Sequence, residues 1–253
     1  MRRIAFFGGS FDPPHRGHLA IATAAADRFA LDSILFAPVG RQPLKGRYPA
    51  TDFLHRYAMT VLATQADARF VPSLLDAPRG TSEEAVCPNY TVDTLTRLRD
   101  SLAEEPEPTV LFTLLGADSW LDIARWHQAP RLLALTDWIV AARPGFSLAS
   151  AEGALPPAVK AKRVGHCIEG TVDDAIADSI ERPAECGLEL HHANAAVTRV
   201  WFLPHIQEDI SATELRAALD QGRVEAAFLP APVRTYITKV RIYHSRDSQT
   251  LLD

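Results

Sequence analysis

Short apolar runs of strand length alternate along this chain with stretches in which apolar residues return every three or four positions. Residues 3–7 form such a run, ending at Gly8-Gly9, and predict a buried strand. Leu19, Ala22, Ala26 and Phe29 then share one helical face, so a helix is predicted over 17–30. Residues 33–37 read as a second strand, stopped by Pro38. Residues 52–65 read as helix, with Thr51 as its N-cap. Residues 70–75 are extended, and 91–102 are helical with Val92, Leu95, Leu98 and Leu102 in register. Strands follow at 110–115, ending at Gly116, at 138–142, ending at Arg143-Pro144-Gly145, and at 200–203.

The strands are continuously apolar rather than alternating. That pattern belongs to a parallel sheet covered on both faces. The expected fold is α/β: a Rossmann-like parallel sheet with helices on both faces and a C-terminal helical portion over 211–242. A single domain spans 1–242, and 243–253 reads as a tail. Between 146 and 198 the pattern weakens into an Ala-rich stretch with Pro156-Pro157, Pro183 and His191-His192, read as an insertion or irregular segment. In sheets of this kind ligands bind beyond the carboxyl ends of the strands. The loops at 8–18, 39–45, 116–119 and 143–145 all leave strands in that direction.

Composition narrows the function classes. The chain has 253 residues, 47% of them hydrophobic, and a net charge of -5. An acidic chain is a poor general binder of nucleic acid, because phosphate contacts dominate that affinity. A small anionic ligand needs only a few local cations. The three cysteines, Cys87, Cys167 and Cys186, are widely spaced and read as reduced thiols. The apolar run after Arg2-Arg3 stops at Gly8, too short for a signal peptide, and no run has membrane-spanning length. The expectation is a soluble, cytoplasmic protein without nucleic-acid or membrane partners.

The densest chemistry lies in Gly8-Gly9-Ser10-Phe11-Asp12-Pro13-Pro14-His15-Arg16-Gly17-His18. Gly8 and Gly9 allow close backbone approach. His15 and His18 are three apart where a helix begins, so both can face one side. A helix N-terminus offers free N–H groups and a positive dipole end to a phosphate, and two imidazoles add donors there. The Gly-Lys-Ser/Thr ending of a Walker loop is missing, and the glycine spacing of the dinucleotide fingerprint is wrong. A plain strand-to-helix turn with surface histidines is the competing structural reading. A zinc site lacks a third ligand at a familiar spacing.

A second group is Ile210-Ser211-Ala212-Thr213-Glu214-Leu215-Arg216. Ser211 and Glu214 form a capping box, so a helix starts here. Thr213 and Arg216 share one face of it and make a second anion site. Three further groups are Pro88-Asn89-Tyr90-Thr91, Gly116-Ala117-Asp118-Ser119 with Trp126 eight residues after Asp118, and Arg143-Pro144-Gly145. Each alone has a structural reading as cap, core ring or solvated charge.

The first string resembles the signature of the cytidylyltransferase-like nucleotidyltransferase superfamily, and Ile210–Arg216 is similar to its second signature. Order and spacing of the remaining groups, together with residues 228–237, resemble the bacterial nicotinate-nucleotide adenylyltransferases over 1–146 and again over 199–242. The resemblance implies adenylyl transfer from ATP to nicotinate mononucleotide, with Mg2+ carried on the ATP. It implies that His15, His18 and Arg216 are catalytic, and that Gly8, Gly9, Ser10, Phe11, Ser211 and Thr213 complete the ATP site. It places Trp126 on the pyridine ring, Thr91 at the nicotinate carboxylate, Asp118 at a ribose, Lys45 at the mononucleotide phosphate and Arg143 on the substrate side. Two positions depart from the family pattern: Leu44 stands where a polar residue is usual, and His127 where a Tyr is frequent. Another acceptor, such as nicotinamide mononucleotide, FMN or phosphopantetheine, remains an alternative, as does a non-catalytic nucleotide sensor. A homo-oligomer stays open.

Overall fold

A computed structural model describes residues 1–41, 51–78, 88–165, 186–204, 212–221, 223 and 228–243. The backbone of Cys186 is included, but not its side chain. Eight strands make one sheet: β1 (Arg2–Gly9), β2 (Ser33–Pro38), β3 (Phe70–Pro72), β4 (Thr109–Gly116), β5 (Asp137–Ala141), β6 (Lys160–Gly165), β7 (Cys186–His191) and β8 (Val197–Leu203), in the order β3-β2-β1-β4-β5-β8-β7-β6. The six strands from β3 to β8 in that order are parallel, and β7 and β6 extend the sheet antiparallel. The described helices are α1 (Arg16–Phe29), α2 (Phe53–Thr64), α3 (Thr91–Ala103), α4 (Ala117–Leu121), α5 (Ala129–Leu133), α6 (Leu148–Gly153), α7 (Ala212–Asp220) and α8 (Ala231–Val240).

Alternate residues of β1 enter different cores, as a pleated strand requires. Ile4 and Phe6 join the helices α3–α6 in one apolar cluster, while Ala5 and Phe7 join Ala22, Ala25, Ala26 and Phe29 of α1 in another. Helices therefore cover both faces, which explains the unbroken apolar strands. A third cluster joins Met59 and Ala63 of α2 to Leu215 and Leu219 of α7 and to Val233 and Ile237 of α8. The C-terminal helices thus dock on α2.

The strands run outward from β1 to β2 and β3 on one side and from β4 to β5 on the other. The strand order reverses between β1 and β4, the place where sheets of this kind form a crevice at the carboxyl ends of the strands. The loops after Gly9 and after Gly116 flank it.

Two expectations change. Asp52, not Thr51, caps α2, its carboxylate accepting from the Leu54 N–H at 2.8 Å. Both residue types serve as N-caps, so only the backbone turn decides between neighbours. The stretch 146–198 is not simply irregular: it supplies α6, β6 and β7. β6 escapes a reading by periodicity because it is an edge strand, exposed at Lys160, Ala161, Lys162 and Arg163. Charged side chains on an edge block pairing with another chain and erase the apolar signal. Among the described residues no helix is long and apolar enough to cross a membrane.

Candidate active site

The loop after β1 is built by aromatic packing. A Cβ on Gly8 would lie 2.8 Å from the Phe6 ring, and one on Gly9 would lie 3.3 Å from the Phe11 ring. The Phe6 ring therefore leaves no room for a Cβ at Gly8 as it stands, and the Phe11 ring leaves little at Gly9. Phe11 takes a left-handed φ of 46°. Its ring is buried against Phe7 at 5.4 Å and against His18 at 5.0 Å. A non-glycine residue holds such a backbone only where packing over-determines it. A contact between Phe11 and a ligand would fall to its backbone.

His15 precedes α1 and His18 lies in its first turn, their rings 3.7 Å apart and tilted by 30°. The His15 N–H donates to Nδ1 of His18 at 3.2 Å. Nδ1 of His18 therefore carries a lone pair, and the proton of the neutral ring sits on Nε2, where it is available to an external acceptor. Nδ1 of His15 is buried with no hydrogen-bond partner among the described residues. Burial, and to a smaller extent the Arg143 guanidinium, lower the pKa of His15 from 6.5 to about 4. Burial and the neighbouring His15 ring hold His18 well below the usual histidine range. Both rings are neutral in the free protein near pH 7.

This neutrality has a consequence for stability. The unfolded chain takes up the proton at its ordinary pKa, so the contribution of His15 is full above pH 6.5 and is lost as the pH falls toward 4. A shift of that size corresponds to about 3 kcal/mol. Urea unfolding at pH 7.5 and 4.5 should show a loss of at least that order, since His18 adds a loss of the same sign, and His15→Asn should reduce the dependence without abolishing it. An equal loss in the variant would remove His15 as its source.

The second wall comes from α7. Arg216 donates from Nη1 to the carbonyl of Asp12 at 2.7 Å and from Nη2 to the hydroxyl of Thr213 at 3.3 Å. The carboxylate of Asp12 accepts from the hydroxyl of Tyr243. The N–H of Arg16, one of the free amides at the start of α1, donates to the carbonyl of Phe228 at 2.9 Å. The C-terminal segment is thereby tied to the histidine loop at three points.

On the other side of the crevice Asp118, in the first turn of α4, pairs with Arg143 at 3.0 Å. Both side chains are more than half exposed, at 64% and 56%, so the pair is worth at most about 1 kcal/mol and yields easily to a ligand. Arg143 is also the charge that acts on His15, so this cation lies near the imidazoles. Thr91 opens α3. The preceding Tyr90 stacks on His127 at 4.1 Å, next to the half-buried Trp126. The start of α3 and the 126–127 segment thus meet. Lys45 and Ser211 fall outside the described residues.

Sequence reasoning missed Arg56, Tyr243 and the role of Asp12. Arg56 is buried, at 1% exposure, on the same face of α2 as Met59, Thr60 and Ala63. An arginine in an apolar helical stripe was the available signal. Tyr243 had none, since the chain leaves its helical course there, with left-handed backbone at Arg241 and at Tyr243 itself.

Comparison with known proteins follows the same lines. Residues 6–218 match the cytidylyltransferase-like family. The chain is similar to a probable nicotinate-nucleotide adenylyltransferase of Mycolicibacterium vanbaalenii, 32% identical over 96% of this chain and 93% of that one. It is also similar to one of Thermus thermophilus, 31% identical over 95% and 99%. Its fold resembles the Plasmodium falciparum nicotinic acid mononucleotide adenylyltransferase complexed with NaAD, with a TM-score of 0.61 and 16% identity over 96% of this chain and 98% of that chain. The chain belongs to the cytidylyltransferase-like family and, within it, to the nicotinate-nucleotide adenylyltransferases.

Proposed function

We propose that this chain transfers the adenylyl group of ATP to nicotinate mononucleotide, forming nicotinate adenine dinucleotide and pyrophosphate. The carrying observation is the pair of neutral imidazoles at the start of α1, with Arg216 on one side and Arg143 on the other. The full-length relatives bear the same activity in their names.

The acceptor phosphate is ionised and needs no general base. One of its oxygens attacks the α-phosphorus, the bond from that phosphorus to the bridging oxygen breaks, and pyrophosphate leaves with the electron pair. Catalysis is alignment together with stabilisation of charge on the departing oxygens. The Nε2–H of His18 and the guanidinium of Arg216 suit that charge. Arg143 and Lys45 serve the acceptor phosphate, Asp118 a ribose, and Thr91 and Trp126 the nicotinate ring. Among the described residues no cluster of His, Cys, Asp or Glu could hold a metal ion. A divalent ion, Mg2+ in this proposal, would neutralise part of the charge on the ATP phosphates. The protein would work in the cytoplasm.

Pyrophosphate release with ATP and nicotinate mononucleotide tests the proposal, with nicotinamide mononucleotide, FMN and phosphopantetheine as competing acceptors. Faster turnover of any competitor overturns the acceptor assignment, and no release with any of the four overturns the reaction. Trp126→Ala should raise the Michaelis constant of the pyridine nucleotide by about tenfold, the loss of one stacking contact. A change confined to the ATP constant would contradict the stacking role.

A further inference from the structure

Arg56 has no part in the chemistry above, yet it lies behind all of it. Its guanidinium donates to three backbone carbonyls: Nε to Thr51 at 3.0 Å, Nη1 to Ser10 at 2.8 Å and Nη2 to Gly40 at 3.5 Å. Ser10 follows β1 in the histidine loop. Gly40 follows β2, and Thr51 precedes α2. Phe53 offers a ring 5.6 Å below the guanidinium. Burial disfavours the charge, while Asp12, Tyr243 and Asp52 favour it.

A buried cation is an expensive way to fill space, and an apolar residue there would stabilise α2 at lower cost. What the planar fork offers is geometry, since one rigid group fixes three carbonyls at once. Neighbouring positions on the same helix face, Met59 and Ala63, belong to the apolar cluster that also holds Val233 and Ile237 of α8 and Leu215 and Leu219 of α7, the helix that carries Arg216. One helix therefore holds the histidine wall through Arg56 and the Arg216 wall through its apolar contacts.

We propose that Arg56 is a positioning residue, whose guanidinium joins the loops after β1 and β2 to α2 and thereby sets the spacing between the His15–His18 wall and the Arg216 wall. The inference rests on the adenylyl-transfer reading for its effect on rate. A misplacement of about 1 Å between catalytic groups costs on the order of 10²-fold in turnover.

The test uses Arg56→Lys and Arg56→Gln in the full chain. Turnover is referred to the folded fraction, read by near-UV circular dichroism at low temperature, so loss of stability alone leaves it unchanged. Both variants should lose about 10²-fold in kcat per folded molecule, with the dissociation constant of ATP alone little changed. Lysine should recover only a small part, because a point charge cannot span three carbonyls. Wild-type kcat per folded molecule in either variant overturns the proposal, since Lys would then show that charge suffices and Gln that nothing is needed. Hydrogen exchange gives a readout independent of activity: amides of residues 9–11 and 39–41 should exchange faster together in the variants, and unchanged exchange in either loop also overturns it. A wild-type enzyme inactive with every acceptor would defeat the adenylyl-transfer reading instead, and the exchange result would still decide Arg56.

Discussion

His18→Asn is expected to lower kcat by about two orders of magnitude, the usual loss when one preorganised donor to developing charge is removed. The choice of substitution follows from the two sides of the ring. Nδ1 accepts from the His15 N–H, and the amide oxygen of Asn can take over that bond. Nε2 carries the proton that, in the proposed mechanism, is offered to the leaving pyrophosphate, and Asn does not reach that position. The variant should thus keep the start of α1 and lose only the outward donor. If the bond to phosphate strengthens in the transition state, kcat and kcat/KM fall together while the ATP constant stays put. His18→Gln, whose amide reaches the Nε2 position, should restore part of the rate. Wild-type turnover in His18→Asn, or a change confined to ATP binding, would remove the role.

Arg216→Lys is the second large expected effect. Arg216 spans the Asp12 carbonyl and the Thr213 hydroxyl with two edges of one planar group. A bound triphosphate would take over one or both edges. Lysine keeps the charge and loses the fork, so it can satisfy either the loop or the nucleotide. The expected result is a fall of about 10²-fold or more in kcat/KM for ATP, with the Michaelis constant of the acceptor nearly unchanged. Initial-rate kinetics with each substrate varied in turn separates the two constants. Retention of wild-type kcat/KM would show that charge at this position is enough.

The strands and most helices were legible because their signals are local. Residues 4–7 are apolar throughout because both faces of β1 are covered, and Val92, Leu95 and Leu98 recur at helical spacing because α3 buries one side. The segment 146–198 failed that reading for an equally physical reason. β6 is a polar edge, and β7 offers only two large buried apolar side chains, Leu188 and Leu190, too few for a periodic signal. The cap of α2 was misplaced by one residue, since two neighbouring side chains of the right chemistry compete for it.

By itself the sequence determined the α/β alternation, the helix start beneath His15 and His18, and the placing of candidate groups on strand-exit loops. All of these depend on residues within a few positions of one another. Only the tertiary structure decided that both imidazoles are neutral, because desolvation depends on what surrounds them. It alone paired Asp118 with Arg143, brought Tyr243 to Asp12 across 231 positions and joined Ser10, Gly40 and Thr51 through Arg56. Those contacts are set by packing between distant segments, and packing leaves no periodicity in the chain to read.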